Sequence, residues 1–378
     1  MKRIVFALLI LGLFTGCSQT DTEVAEDIPY VAESEGVKGG GRSYIPLNYT
    51  KQTGIWLPYM RFEELLSGRS EDEYRRGIVT FLEESQAQGV NTVYYHAHPN
   101  GDSYYVSEKF PRGTCYDGSF DPRGIVIEEA HSRGISVHAW LNPLRCQTKS
   151  EMDSVPDSFI TKQWADSPET GCIKLVGDRW YLVPSHEEVR RLITDCADEL
   201  LSKYELDGIH IDDYFYPTTD PEFDREEFEA SGSTDLAQWR RDVVSEYVKA
   251  LYETVRSHGS HVKFGISPQG NVTSDREKQY ADAELWCRGG YCDYIVPQIY
   301  YGFRNENCPC EGTLKEWEKL TAGSKVSLII GLAVYKVGKS DQWAGETGID
   351  EWIDDPDVIE KQIQRVKEST ADGYALYC

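Results

Sequence analysis

Three features that often indicate a function are missing from this sequence of 378 residues. Basic residues are scarce, because 39 Lys and Arg stand against 63 Asp and Glu, which gives a formal net charge of −24. Such an acidic chain is a poor partner for nucleic acid and is repelled by anionic lipid. No glycine-rich loop follows the first predicted strand, which argues against a nucleotide-binding open sheet. Cys308-Pro-Cys310 has no second cysteine pair at zinc-site spacing, so we expect no structural zinc there and no cofactor.

Long apolar runs are also missing, and the longest one near the amino terminus extends only from Ile4 to Phe14. It follows Lys2 and Arg3, is too short for a comfortable membrane span, and is typical of a signal peptide. Small residues precede Cys17, a pattern that resembles a bacterial lipoprotein signal. We therefore expect residues 1–17 to form a lipoprotein signal peptide, with Cys17 as the lipidated first residue of the mature protein. A plain signal peptide or an uncleaved anchor is the alternative.

The predicted anchor places the protein in the bacterial cell envelope, at the outer membrane or cell surface rather than the cytoplasmic membrane. It would contact membrane only through the lipid. Residues 18–51 are rich in Ser, Thr, Glu, Asp and Gly, which predicts a flexible acidic tether. Residues 52–378 fit one barrel, expected to be monomeric. Nine cysteines remain besides Cys17, so at least one thiol is unpaired, although export permits disulfides.

Strand-like and helix-like segments alternate beyond residue 50. The predicted strands are Gly54–Tyr59, Thr92–Pro99, Ile135–Pro143, Gly208–Phe215, Val262–Pro268, Asp293–Tyr301, Val326–Tyr335 and Gly373–Tyr377. The predicted helices are Glu71–Gln88, Pro122–Arg133, Glu187–Tyr204, Asp235–Ser257, Asp282–Arg288, Leu314–Leu320 and Asp357–Glu368. Eight strands separated by helices predict an α/β protein with a single (β/α)8 TIM barrel. A doubly wound open sheet is the alternative.

Polar residues cluster where the predicted strands end. In the fourth strand, aliphatic Ile209 and Ile211 alternate with His210 and Asp212, so one face is apolar and the other carries ionisable side chains. Active sites of α/β barrels lie at this carboxyl end. The same alternation assigns an interior set, which we predict to bind substrate: Trp56, His96, His98, His138, Trp140, Asn142, His210, Tyr214, Gln298 and Tyr300.

Aromatic rings beside amide and carboxylate groups suit carbohydrate, because sugars offer both apolar faces and hydroxyls. Tyr335 and Tyr377 complete the predicted ring. Four of the eight histidines fall at these strand ends, and the plainer interpretation is that several are core histidines bonded to their neighbours. The long connections 100–121 and 144–185 both follow strands, so we expect them to form the walls of a groove.

Several segments resemble one family. They include Asp207–Pro217, His138–Pro143 and Asp293–Tyr300, in matching order and spacing. The pattern resembles the glycosyl-hydrolase-like family ten barrels. The resemblance implies an exported barrel, often a lipoprotein, whose characterised relatives resemble peptidoglycan glycosidases acting on glycan strands stripped of stem peptides. This chain departs from the family where His96-Ala-His98 replaces Gln-x-Arg, and where Leu182–His186 lacks an expected Asn-Pro form.

Glycoside hydrolysis needs two carboxyl groups. Asp212 is the first candidate because it faces the interior at a strand end. Asp213 can join it only if the strand bends or ends there. Asp282 matches a family position but is equally placed to cap a helix. Asp102 lies on the loop after the second strand, so the sequence does not identify the second carboxylate.

Two other functions stay open. The first is a metal-dependent deacetylase or amidohydrolase, in which zinc could be held by four histidines beside Asp212: His96, His98, His138 and His210. The barrel could also be a non-catalytic glycan-binding lipoprotein. The main prediction is an endo-acting glycosidase without metal, binding a polysaccharide or peptidoglycan strand over Trp56, Trp140, Tyr300 and Tyr301. The acidic surface argues against a polyanionic glycan, unless Arg145 or Arg304 supplies a local basic pocket.

Overall fold

A closed barrel of eight parallel strands forms the centre of the computed structural model, which describes residues 44–212 and 214–378. The barrel strands are β1 Gln52–Leu57, β2 Thr92–His98, β3 Ser136–Leu141, β7 Gly208–Ile211, β8 Lys263–Ile266, β9 Tyr294–Ile295, β10 Ser327–Ala333 and β11 Gly373–Tyr377. Their order around the barrel is β1-β11-β10-β9-β8-β7-β3-β2, and β1 pairs with both β11 and β2. The predicted (β/α)8 barrel is therefore confirmed.

Helices connect the strands along the outside of the barrel. They are α1 Phe62–Leu66, α2 Glu71–Gln86, α3 Pro122–His131, α4 Lys149–Met152, α5 Ile160–Asp166, α6 Glu187–Lys203, α7 Arg225–Ser231, α8 Leu236–Ser257, α9 Val272–Lys278, α10 Ala283–Gly289, α11 Cys310–Thr321, α12 Glu351–Asp354 and α13 Val358–Lys367. Local chemistry sets several starts: Ser70 forms a capping box with Glu73, and Asp121 caps α3 ahead of Pro122. Each predicted helix has an observed counterpart with shifted ends.

Alternation along the strands divides the core into two parts. Val93 and Tyr95 pack in the large cluster beneath the helices, whereas Tyr94 lies in a smaller interior cluster. Trp56 and Trp140 belong to the same interior cluster. Because successive side chains of a strand point to opposite faces, one strand supplies both clusters. The interior cluster therefore packs inside the barrel, and Trp56 and Trp140 of this cluster also line the cavity at the carboxyl ends of the strands.

Most barrel strands are shorter than the sequence predicts. β7 ends at Ile211, just before Asp212, β8 ends two residues before Pro268, and β9 ends well before residue 301. Pro268 and Pro297 lack the N–H that a central strand needs. Only isolated bridges continue beyond β9, joining Gln298 to a neighbour on each side. The chain therefore leaves the regular ladder where the mouth of the barrel begins.

The connection after β3 contains a small sheet that the sequence analysis did not predict. Its antiparallel strands are β4 Arg145–Thr148, β5 Ile173–Val176 and β6 Arg179–Leu182, in the order β4-β6-β5. Each strand has four residues and much of the sheet is partly exposed. Such short, mixed segments carry weak periodicity, which is why they read as a loop. The sheet gives one predicted groove wall a rigid frame.

Residues 44–51 pack against the amino-terminal end of the barrel, although the sequence assigned them to the tether. Asp207 accepts hydrogen bonds from the backbone N–H of Leu47 and of Val137, both at 2.6 Å, and from the Tyr44 hydroxyl. The predicted signal peptide, Cys17 and residues 18–43 lie outside the described residues. No helix between residues 44 and 378, residue 213 apart, is long and apolar enough to cross a membrane. The nine cysteines of this part are all free thiols.

Candidate active site

A cavity of about 380 Å³ opens at the carboxyl ends of the barrel strands. Its walls are mainly aromatic, with a few polar groups among them. The lining residues are Trp56, Tyr59, Met60, His96, Trp140, Asn142, Arg145, Asp212, Tyr214, Gln298, Tyr300, Tyr335 and Tyr377. We call this space the mouth cavity. Its position matches that of barrel active sites in general.

Several side chains of the mouth cavity have buried polar atoms that make no hydrogen bond within the described part of the chain. The imidazole of His96 stacks on Trp140, with ring centroids 3.5 Å apart and planes inclined by 14°. Neither ring nitrogen of His96, nor Trp140 Nε1, nor Asn142 Oδ1 makes a hydrogen bond within the described part of the chain. Buried polar groups in native proteins are almost always bonded. Their clustering around one cavity indicates that a polar ligand completes them.

His96 is neutral in this setting. Burial, together with the nearby charges of His98 and Arg145, holds its pKa well below the ordinary value, while the Asn142 side chain acts weakly in the opposite direction. A neutral imidazole has one N–H donor and one bare nitrogen acceptor. His96 can therefore donate to one hydroxyl and accept from another, which suits a sugar better than a cation.

Beneath the mouth cavity, a second layer of histidines is hydrogen-bonded. Trp56 Nε1 lies 3.2 Å from His210 Nε2, and His210 Nδ1 lies 3.2 Å from the Tyr294 hydroxyl. The same hydroxyl lies 2.6 Å from His138 Nδ1. The Tyr94 ring stacks on His210, with centroids 4.3 Å apart. We call His210, Tyr294 and His138 the lower chain.

The tautomers of the lower chain follow from its donors. Burial lowers the pKa of both histidines, so each ring is neutral and carries one proton. Trp56 can only donate, so His210 Nε2 accepts and its Nδ1–H donates to Tyr294. The Tyr294 hydroxyl then donates to His138. This fixed direction holds the indole of Trp56 in place, and the two histidines lie outside the lining of the mouth cavity.

Asp212 follows directly after β7 and is 5% exposed. It is the one carboxylate among the described residues that line the mouth cavity. Its negative charge reaches Tyr377, where it adds to the effect of burial in raising the pKa of that phenol. Asp212 thus lies among aromatic rings at the strand end, as predicted. Asp213 lies outside the described residues.

The other candidate carboxylates lie elsewhere. Asp282 caps α10, accepting a hydrogen bond at 3.1 Å from the N–H of Leu285, and pairs with Arg276 at 2.5 Å. The helix-cap alternative is what the structure shows for it. Asp102 lines a separate cavity of about 510 Å³ between the loops that follow β2 and β3. Burial raises the pKa of Asp102 to about 6.

The four histidines of the metal hypothesis do not converge. His98 lies across a bulge from His96 and bonds through Nδ1 to the Asp102 carbonyl at 2.7 Å. His210 uses both ring nitrogens in the lower chain, whereas His138 uses Nδ1 there and its buried Nε2 has no hydrogen-bond partner among the described residues. Within residues 44–212 and 214–378, the one cluster with ligand atoms close enough for a metal is Cys172, His186 and Glu188. The barrel mouth therefore has no histidine ligand set there.

Arg145 is a cation of the mouth cavity that the site prediction left out. Its guanidinium carbon lies 4.7 Å from the centre of the Tyr214 ring. Its buried Nε has no hydrogen-bond partner among the described residues. Tyr59 and Met60 also line the cavity and were missed, because they follow β1 on a short 3-10 helix rather than the strand. Alternation along strands carries no signal for such residues.

Comparison with known proteins agrees with this geometry. The sequence matches the family described as glycosyl hydrolase-like 10 over residues 51–345. The chain belongs to the glycosyl hydrolase-like 10 family. The predicted resemblance is therefore confirmed over most of the barrel.

The sequence is also similar to glycosyl hydrolases from two bacteria. It is 31% identical over 294 residues to glycosyl hydrolase DigH of Escherichia coli K12, covering 70% of this chain and 67% of that protein. It is 29% identical over 301 residues to glycosyl hydrolase YngK of Bacillus subtilis strain 168, covering 72% of this chain and 58% of that protein. The chain thus spans under two thirds of the Bacillus protein.

Solved structures share the fold. An α-L-fucosidase from Paenibacillus thiaminolyticus superposes with a TM-score of 0.58 at 14% identity, covering 86% of this chain and 46% of that one. A β-galactosidase from Bacillus circulans sp. alkalophilus gives 0.53 at 12% identity, covering 88% and 50%. At such identities the likeness concerns the barrel alone, which glycosidases of different specificity share.

Proposed function

We propose that the protein is a glycoside hydrolase whose substrate binds in the mouth cavity against Asp212. The observation that carries this proposal is the cluster of hydrogen-bonding groups on His96, Trp140 and Asn142 that no described residue bonds, beside that carboxylate. A sugar ring supplies hydroxyls for the polar atoms and C–H faces for the aromatic rings. Family membership supports the same reaction class.

Asp212 acts in this proposal as the carboxylate that attacks the anomeric carbon or activates water. The second carboxyl group protonates the leaving oxygen. Asp213 and Asp102 are the two candidates for that acid. Asp102 has a pKa of about 6, and a raised pKa favours a general acid, but it lies in the neighbouring cavity. Asp213 follows Asp212 where the strand has already ended.

Arg145 favours a glycan with carboxylate groups, although the protein as a whole is acidic. A half-buried guanidinium that pairs with no carboxylate among residues 44–212 and 214–378 is suited to bind an anion in bidentate fashion. The family resemblance points to peptidoglycan strands without stem peptides, whose lactyl groups carry such carboxylates. We therefore propose this substrate, with endo-type cleavage in a groove bounded by the loops after β2 and β3.

The first experiment is incubation of the purified mature protein with a panel of glycans, with and without a chelator. The panel includes intact and amidase-stripped peptidoglycan and neutral polysaccharides. Chelator-insensitive release of oligosaccharides from stripped strands is expected. Release of acetate or ammonia that a chelator abolishes would support a metal-dependent hydrolase instead. Tight binding without products would support a non-catalytic glycan-binding protein.

Arg145 is tested with stripped strands whose carboxylates are free or methyl-esterified. Esterification should lower kcat/KM of the native enzyme about 10-fold, the value of one charge-assisted hydrogen bond. Arg145→Gln should show little difference between the two substrates. Arg304→Gln is the matched control, because Arg304 is exposed and paired with Asp354 at 3.2 Å. Equal sensitivity of the native enzyme and Arg145→Gln would remove Arg145 from recognition.

We also propose that Cys17 carries a lipid anchor in the cell envelope. The support is the charged and apolar segment that precedes it. Cys17→Ser should leave the protein unprocessed or release it from the membrane fraction. A variant that is processed and membrane-bound like the native protein would contradict the anchor.

A further inference from the structure

A cysteine, a histidine and a glutamate meet in the small sheet region beside the barrel. Cys172 immediately precedes β5, and His186 and Glu188 lie at the start of α6. One possible ligand atom from each lies within 4.8 Å of the other two. Cys172 is 4% exposed, and the side chain of Glu188 faces solvent. Two of these residues are separated from Cys172 by the whole β5–β6 hairpin, so folding brings them together.

The histidine of this cluster is held in the manner of a metal ligand. His186 Nε2 lies 3.0 Å from Glu227 Oε1, which leaves Nδ1 available. Lys174 Nζ forms an ion pair with the same carboxylate, 2.8 Å from Glu227 Oε1. Metal-binding histidines generally donate their second ring nitrogen to a carboxylate, which fixes the ring and raises its basicity. Glu227 thus adds a second, independent feature of a metal site to the three ligands.

We propose that Cys172, His186 and Glu188 bind one divalent zinc ion, with water as the fourth ligand. Thiolate, imidazole and carboxylate together favour zinc over magnesium or calcium, which prefer oxygen ligands alone. Zinc bonds to such ligands are about 2.0–2.3 Å long, and the exposed Glu188 side chain is free to adjust toward the ion. Binding releases the thiol proton of Cys172 to solvent, so affinity rises with pH.

The ion would join two parts of the groove wall. Cys172 leads into β5, whereas His186 and Glu188 begin α6, and the Val183 N–H already bonds to the Cys172 carbonyl at 2.9 Å. A metal bridge at this junction would fix the small sheet, and hence Arg145 on β4, against the barrel. The site is separate from the chemistry proposed for Asp212, so it is a structural site and not a catalytic one.

Metal binding is measured on the untagged mature protein after dialysis against a chelator. Titration calorimetry with zinc should give one equivalent bound. Cobalt should produce a thiolate-to-cobalt charge-transfer band in the near ultraviolet. Cys172→Ser should abolish that band, and Glu188→Gln, an exposed change that leaves the fold intact, should weaken zinc binding at least 10-fold. Glu227→Gln should weaken it about 10- to 100-fold by releasing His186.

Two variants serve as controls. Cys308→Ser removes a partly exposed thiol outside the cluster, and His258→Gln removes a histidine that is paired with Asp198 at 2.8 Å. Both should bind zinc like the native protein. Zinc should also raise the Tm of the native protein but not that of Glu188→Gln. The proposal is overturned if the native protein binds no equivalent, if cobalt shows no thiolate band, or if the controls and cluster variants bind alike. None of these outcomes bears on glycan hydrolysis.

Discussion

Two layers of the barrel interior contain the same residue types but differ in their hydrogen bonding. In the lower chain, His210 uses both ring nitrogens, toward Trp56 and Tyr294. In the mouth cavity above it, His96 stacks on Trp140, and neither of its ring nitrogens makes a hydrogen bond to a described residue. Both histidines are buried. The difference indicates that the His210 ring is satisfied within the fold, whereas His96 has ring nitrogens that no described residue bonds and that a ligand could bond.

This contrast separates stability from function within one strand. β2 supplies Tyr94 to the lower layer and His96 to the mouth cavity. A polar group that is bonded in the fold contributes to stability, and its loss leaves a partner unsatisfied. A polar group without a partner costs stability and is kept for its use, as is common at functional sites. The predictions below test this division.

The largest effect is expected from Asp212→Asn in the mouth layer. The amide preserves shape but cannot act as nucleophile or base, so kcat on the glycan should fall about 10²- to 10⁴-fold. Binding of the same glycan and the Tm should change little. Steady-state kinetics, calorimetry and thermal unfolding check the three expectations. Retained turnover in the folded variant would place the chemistry on another residue.

In the lower layer, His210→Leu should act mainly on stability. It leaves the buried indole N–H of Trp56 without its acceptor, which costs about 1–3 kcal/mol in the free energy of unfolding. Denaturant unfolding measures this loss. Glycan affinity should fall only as far as Trp56 moves. A variant as stable as the native protein would show that the lower chain is not structural.

His96→Leu should show the opposite result in the mouth layer. Leucine fills a similar volume, and no partner loses a bond, so the free energy of unfolding should stay within about 1 kcal/mol of native or rise. Loss of one sugar hydrogen bond should lower kcat/KM about 5- to 30-fold. Unfolding and kinetics of the two leucine variants, measured side by side, decide the comparison. Equal activity of His96→Leu and the native enzyme would contradict a role in binding.

A further expected effect is on the pH dependence of stability. Burial depresses the pKa of His96, His98, His138 and His210, in two cases to about 4. The unfolded chain then binds more protons below about pH 6.5, so stability falls as the pH drops from there toward 4. Each histidine contributes up to about 1.4 kcal/mol per pH unit.

Asp102 has the opposite effect on the pH dependence of stability and offsets the contribution of one histidine. Its raised pKa of about 6 adds stability at low pH that is lost as the pH rises through that value. Denaturant unfolding between pH 5 and 7 measures the net slope. Native protein should lose stability toward pH 5, and His210→Leu should show a shallower slope. A flat profile would mean that the histidines are charged or exposed in the folded state.

The sequence predicted the barrel well because local periodicity records which face of a strand is buried. His96 and Trp140 were assigned correctly to the interior from alternation alone. Alternation cannot predict which side chain from another strand forms a hydrogen bond with a given residue inside the barrel. Trp56 and His210 are 154 residues apart, and their hydrogen bond depends on the register of the closed sheet. The two histidine layers therefore looked alike in the sequence.

Other parts of the site were missed for local reasons. Asp282 fits both a helix cap and a catalytic position in the sequence, and only the geometry shows the cap. Arg145 was named only as one of two possible basic residues, because it lies on a four-residue strand of the inserted sheet whose periodicity is too weak to place it at the site. Asp212, which directly follows β7, was predicted because a carboxylate is costly in a buried strand unless it is used or paired.

The most direct test of the division between the layers is nitrogen NMR of the histidine rings during glycan titration. Asp212→Asn protein labelled with ¹⁵N at histidine would be titrated with stripped glycan oligomers to saturation. The account predicts that the ring nitrogen signals of His96 shift, while those of His138 and His210 stay in place. Unchanged His96 signals at saturation, or shifts confined to the lower chain, would contradict it.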